Sequence, residues 1–311
     1  MRDLIDELAE NCPDWLQFVP EWLESIYDAF CLMLTDAITA VLKSAFSNIN
    51  TNVDLTNTFV EKTPKEWNST IFDFITTISD NIIVPIAGIV ITYVLVYELI
   101  SMIVDKNNFH EFDTSLFIRY IFKAGIAVEL VVHSSEIIEA IFEVGGSIVQ
   151  SVSKQIKGGV TIDVADTLTK MLFYDHDEFT MSELMLYLLL ACVIWLALWG
   201  MSLYIIITLY GRFIEIYLYM SLSPIAFATI TNREWGNIGT NYLRGMLALA
   251  FQGFLIMVCV GIYSTLILNL GSLSESSKFG PAICEILIYT IVLVVAIGKT
   301  GSLSKTLFGA H

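Results

Sequence analysis

The 311 residues carry 32 acids against 16 bases, a formal charge of −16, yet 55% of the chain is hydrophobic and its mean hydropathy is +0.68. That hydrophobicity excludes an ordinary soluble domain. Apolar runs of about eighteen residues or more exclude an outer-membrane barrel, whose strands alternate over about ten. The expectation is an all-α, polytopic helical membrane protein with about five crossings, one broken or re-entrant helix and an amphipathic helical N-terminal region.

Residues 1–81 form an acidic region without a basic, then apolar, signal-peptide pattern. Trp22, Ile26, Phe30, Leu34, Ile38, Val41 and Ala45 recur at helical spacing opposite Glu21, Glu24, Asp28 and Lys43, predicting an amphipathic helix that ends near residues 48–50. Its apolar face packs on the protein's own helices or on another subunit; an acidic opposite face suits a lipid surface least. The polar stretch to Thr63 reads as a loop. Thr63-Pro64-Lys65-Glu66 reads as a capping box with Pro at the first helical position, opening a helix that leads into the first span. Cys12 and Cys31 could pair if both lie outside the cell.

Residues 82–133 hold two spans, Ile82 to Val104, with Pro85 as a possible kink, and Leu116 to His133. Ionisable groups inside spans are informative, because each costs a few kcal/mol at mid-bilayer unless paired or wet. Glu98 shares a face with Ser101 and Asp105, and Arg119 and Lys123 enter the second span from the same side. They form either an interhelical salt bridge or the polar lining of a pathway. Glu129, His133, Glu136 and Glu143 make a second stripe, a solvated face for its outer members and a pathway or partner contact for Glu129.

Residues 134–182 continue as an acidic extracytoplasmic segment in which Ile137, Ile141, Val144 and Ile148 give an amphipathic helix that Gly158-Gly159 should stop. A helix from Thr114 to Lys157 is on the order of 65 Å long, about twice the hydrocarbon thickness. Residues 183–311 form the membrane core, with apolar segments Glu183 to Leu209, Phe213 to Ile230, Leu243 to Leu270 and Pro281 to Ile297. Ser223-Pro224 is expected to break the helix near 212–230, since Pro removes an amide and its ring clashes one turn back. Arg212 and Glu215 can pair at three residues' spacing and end the preceding span; alternatively Arg212 holds carbonyls opened at the break. Gly245, Ala248, Gln252 and Cys259 share a small, polar face suited to close packing and one interhelical hydrogen bond.

No enzymatic chemistry, cofactor or metal is expected. The four histidines lack metal-ligand spacing. Gly298-Lys299-Thr300 has Leu293 where a phosphate-binding loop needs glycine, and Gly145-Gly146-Ser147 is no nucleophile elbow.

Residues 1–81 hold 14 acids and 4 bases, and residues 134–183 hold 9 acids and 3 bases, so these two segments account for the whole −16. Five crossings place Lys106, Arg119, Lys123, Arg212, Arg233, Arg244, Lys299 and Lys305 together on what the positive-inside rule makes the cytoplasmic side. The N-terminus is then outside and the C-terminus inside.

Arg212, an apolar turn, Ser223-Pro224-Ile225-Ala226-Phe227-Ala228, a short Gly-bearing polar loop and a helix carrying Arg244, Ala248 and Gln252 resemble the TrbL-type polytopic inner-membrane subunit of type IV secretion systems. The likeness covers roughly Met181 to Leu270; the acidic N-terminal region and the last span depart from it. It implies a non-enzymatic scaffold or channel subunit of a conjugation machine in the bacterial cytoplasmic membrane, passing DNA or protein. The implied partners are membrane lipid, further copies of the chain, other secretion-system subunits including ATPases, and a transient DNA or protein substrate. Arg212, Pro224, Arg244 and Gln252 carry over as positions that shape the core. The alternative is a solute or ion transporter with a broken-helix site, against which stands the absence of an internal repeat.

Overall fold

A computed structural model describes residues 18–104, 114–156, 180–272 and 279–310. The described residues are helical, with no strand among them. In chain order they form α1 (Phe18–Glu61), α2 (Pro64–Trp67), α3 (Ser69–Ile78), a π-helical turn (Ser79–Ile83), α4 (Val84–Val104), α5 (Thr114–Val132), α6 (Ser134–Ile156), α7 (Met181–Thr229), α8 (Gly236–Ser272) and α9 (Phe279–Phe308). Five stretches are long and apolar enough to cross a membrane: Trp22–Glu61, Ser69–Val104, Met181–Thr229, Gly236–Ile267 and Gly280–Phe308. The chain is a multi-pass membrane protein. Cys12, Asp105, Lys106 and Gly158-Gly159 lie outside the described residues, and Cys31 is buried with a free thiol.

Two expectations need correction. The stretch after residue 50 is helix, not loop, since α1 continues to Glu61. Val53, Thr56, Asn57 and Val60 extend its buried face at helical spacing, and that packing overrides the weak helix propensity of Asn and Thr. The 116–133 segment, α5, carries Arg119, Lys123 and Glu129 within 19 residues and is not among the five stretches that pass on length and composition. The segments 183–209 and 213–230 are one continuous 49-residue helix with Pro224 inside it.

The helix absorbs Pro224 by replacing the missing donor. Pro224 cannot bond the Met220 carbonyl one turn back; the Ser223 hydroxyl donates to that oxygen instead, at 2.9 Å. Tyr242 of α8 donates to the neighbouring Tyr219 carbonyl at 2.7 Å. Pro85 is handled differently: the π-turn lies immediately before it, with the Val84 amide bonded to Ser79, the i→i−5 pattern that gives a helix room for an irregular residue.

The capping box at Thr63 is present, with Glu66 N–H donating to Thr63 Oγ1 at 3.3 Å and Thr63 N–H to Glu66 Oε2 at 2.9 Å. The helix it opens stops after one turn at extended Asn68, whose side chain then caps α3 by accepting from Ile71 N–H at 3.0 Å. α5 and α6 are separated only at His133, and backbone bonds Glu129 to His133 and His133 to Ile137, both 3.0 Å, carry the hydrogen-bond column across.

The described residues fall into two compact units. The first comprises 18–54, 180–204, 262–272 and 279–294. Leu34, Ile38 and Leu42 of α1, Leu184, Ile194 and Leu198 of α7, and Ile283, Ile286 and Leu293 of α9 are buried there. Tyr27 accepts a hydrogen bond from the Met181 amide at 3.1 Å, satisfying one of the donors left over at the start of α7.

The second unit comprises 55–104, 114–156, 205–261 and 295–310. Its core joins Phe72, Ala87 and Ile91, Val131, Ile138 and Phe142, Phe213 to Phe227, and Met246 to Ala250. The α7–α8 connection is tight. Asn232 Oδ1 accepts from the Glu234 and Trp235 amides at 2.8 and 2.9 Å, and Gly239 passes so close to α7 that an added Cβ would lie 2.4 Å from the Ala226 carbonyl oxygen.

Candidate functional site

The most unusual group in the second unit is Arg212, a cation only 6% exposed in a helix apolar enough to span a membrane. Its Nε and Nη2 both donate to the Leu249 carbonyl of α8 at 3.3 Å, and the guanidinium lies 5.7 Å from the Phe213 ring centre. Room for it is made by Gly253. A Cβ there would sit 3.0 Å from Arg212 Nη2, 3.1 Å from Val60 of α1 and 3.2 Å from Val149 of α6. Side chains of α1, α6 and α7 thus meet at Gly253 of α8, and Arg212 Nη1 is buried with no partner among the described residues. Neither Glu215 nor the Ser223-Pro224 carbonyls receive it.

Glu215 instead accepts from Lys305 of α9 at 2.5 Å. Beside it, α9 is tied to α8 twice. Ser304 donates to the Ala248 carbonyl at 2.6 Å, and Gln252 Nε2 donates to Thr300 Oγ1 at 3.4 Å. Gln252 fills the space left by Gly301; its Oε1 is buried without a partner among the described residues. Arg212, Glu215, Gln252, Thr300, Ser304 and Lys305 together form a polar layer between helices of otherwise apolar surface. Arg244 is exposed and lies near the end of α9, where its guanidinium would be 3.9 Å from a Cβ at Gly309.

A second cluster binds the end of α4 to the α7–α8 turn. Glu98, 7% exposed, accepts from Lys123 of α5 at 3.0 Å and from the Arg233 amide at 3.4 Å. Tyr97 donates to Glu234 at 2.7 Å, and Tyr93 and Tyr97 stack on Trp235 at 5.5 and 5.7 Å. Arg119 is exposed and is not the cation at Glu98. Glu129 is also exposed, 3.3 Å from His133, which lies 3.1 Å from Glu136 on its other side.

The third feature docks the α2–α3 break on α7. Trp67 stacks on Phe213 at 4.6 Å and 6°, and Tyr217 donates to the carbonyl of Pro64, the first residue of the one-turn helix, at 2.7 Å. Nearby, Lys65 pairs with Glu139 at 2.8 Å, and that carboxylate holds the ammonium pKa above its ordinary value.

The sequence marked Arg212, Pro224, Gln252, Glu98 and Lys123; Thr300 and Lys305 stood in it only as part of a failed phosphate-loop pattern and of the charge count, and Ser304, Gly253 and Tyr217 were unmarked. The cue for α9 was present, a run of small and hydroxyl residues from Gly298 to Ser304 inside an apolar helix, the composition of a close helix interface. Among the described residues no three His, Cys, Asp or Glu side chains gather to hold a metal ion. What this arrangement does is fix helix positions through buried polar contacts.

Residues 49–224, more than half of the chain, match the family model described as TrbL/VirB6 plasmid conjugal transfer like protein. Arg212 and Pro224 fall inside the match; Arg244, Gln252 and the first 48 residues fall outside it. No curated protein matches the chain.

Proposed function

Because the chain belongs to the TrbL/VirB6 family of plasmid conjugal transfer-like proteins, we propose that it is a membrane-embedded scaffold or channel subunit of a type IV secretion machine, helping DNA or protein substrates cross the cell membrane. The family match carries this reading. The family is a structural one within transfer systems, so energy for movement would come from partner ATPases.

The surface of α7 supports assembly with further copies of the chain. Met185, Leu189, Leu196 and Trp199 stand exposed on it within the first unit, and Ile207, Ile214, Leu218 and Leu222 within the second, apolar faces of the kind that lipid or a neighbouring copy covers.

Contacts within the second unit support an orientation. Glu98 reaches the Arg233 amide, bringing the end of α4 to the α7–α8 turn, and Gly309 at the end of α9 lies by Arg244. These ends therefore share one side, the side where Lys123, Arg233, Arg244 and Lys305 gather, which positive-inside reasoning makes cytoplasmic. The start of α7 and the acidic run before it, residues 163–178, would then be extracytoplasmic. Segments so acidic grip a nucleic-acid polyanion poorly and suit basic partner proteins.

The test is purification of the tagged protein from its native host in mild detergent, with lysine cross-linking and mass spectrometry. Recovery of other transfer subunits and an ATPase is expected, together with loss of conjugation in a deletion strain. A lone monomer with its acidic segments in the cytoplasm would overturn the proposal.

A further inference from the structure

An open groove of about 460 Å³ runs between α6, α8 and the end of α9, and every residue lining it is apolar. Ile141 and Val144 form one wall, Leu247, Phe251 and Phe254 the other, and Phe308 closes one side. Its volume falls in the range of small-molecule sites, about 300–1,000 Å³, but it offers no hydrogen-bonding group to orient a polar ligand. α8 and α9 are both apolar enough to cross a membrane, so two of the three walls belong to helices that hydrocarbon can surround.

At one end stands Arg244, one turn before Leu247 on the same stripe of α8. It is exposed and makes no ion pair among the described residues. We infer that the groove holds one acyl chain of an anionic phospholipid, with the lipid phosphate on the Arg244 guanidinium. The two halves of the molecule match the two halves of the site: a charge-assisted, fork-shaped donor for the phosphate and a polar-free slot for the chain. The role that follows is a lipid wedge fixing α6 against α8, where Gly145 already brings the two helices close: a Cβ there would be 3.2 Å from that of Ala250.

The test uses the full-length protein in nanodiscs containing phosphatidylglycerol with a diazirine on one acyl chain, and maps labelled residues by mass spectrometry. Labelling is expected to concentrate on 137–148 and 247–254 above the equally lipid-exposed Ile89–Val96 stretch. Arg244→Gln should lower groove labelling about fivefold, the scale of one basic residue near an anionic lipid surface. Ala140→Phe, at an exposed position on the rim, should lower it while leaving thermal unfolding unchanged. Groove labelling no higher than at Ile89–Val96, or labelling indifferent to Arg244→Gln, would overturn the assignment. So would a covalent dimer from a photoreactive residue substituted at Ala140, since it would put a second chain in the groove.

Discussion

The Ser223 hydroxyl donates to the Met220 carbonyl at 2.9 Å, the same oxygen that Pro224 leaves without its helical amide. One residue therefore supplies the hydrogen bond that its neighbour removes. Ser223 is fully buried, so Ser223→Ala leaves an acceptor without a donor and should cost about 1–2 kcal/mol. Pro224→Ala restores the amide, and the double variant should recover most of the loss. Thermal unfolding of the four proteins in one detergent checks this; additive losses would mean that the two residues act independently.

Arg212 separates packing from charge. Arg212→Ala opens a cavity beside Gly253 and should destabilise by about 2–5 kcal/mol. Arg212→Met keeps much of the volume and removes a cation with an unpartnered Nη1, so it should be neutral or stabilising. Conjugation frequency measured beside unfolding then asks whether the guanidinium itself matters to transfer, which Arg212→Met isolates.

The Glu98–Lys123 pair should respond asymmetrically. The Glu98 side chain is 9% exposed and that of Lys123 46%, so Lys123→Met strands a buried carboxylate whereas Glu98→Gln leaves an ammonium that water can reach. The first should cost about 1–2 kcal/mol and the second less than about 1. Equal losses in denaturation midpoint would contradict this account of burial.

Glycines offer an internal comparison. Gly239→Ala would put a Cβ 2.4 Å from the Ala226 carbonyl oxygen and from Ile230 Cγ1, and backbone cannot yield as a side chain can; a loss of about 1–3 kcal/mol is expected. Gly211→Ala meets nothing within 4 Å and should stabilise α7 by up to about 1 kcal/mol. Parallel melts of the two variants decide it.

Lys65 gives the pH dependence. Its folded pKa is raised by Glu139 above the ordinary 10.5, so the contribution is fully present below that value and is lost as pH rises through the folded pKa. Melting temperature should therefore fall above about pH 10.5 in the wild type, and Lys65→Met should flatten that component of the decline.

Much of the fold was legible because it rests on local signals. Helix content followed from apolar run length, and the Thr63–Glu66 cap from four adjacent residues. The partners of Arg212 and Glu215 were not legible. Spacing by three makes two side chains neighbours on a helix, yet each found a group on a different helix, Leu249 or Lys305, that offered burial together with a hydrogen bond. The continuity of α7 through Pro224 was equally hidden, since it depends partly on Tyr242 in another helix. In α1 the polar stretch 51–61 misled because Thr and Asn propensities are weak beside the packing of Val53 and Val60.

The Arg212–Leu249 contact also bears on how the chain enters the bilayer. Inserted without α8, α7 carries a guanidinium into lipid with no carbonyl to receive it, a penalty of about 2.5–3.5 kcal/mol at mid-bilayer on insertion scales. Inserted with α8, across a turn that Asn232 has already closed, the same group arrives with its acceptor. The α7–α8 hairpin, rather than either helix, is thus the economical unit of membrane integration, and the short link from Ile230 to Trp235 keeps the two halves from parting while it happens.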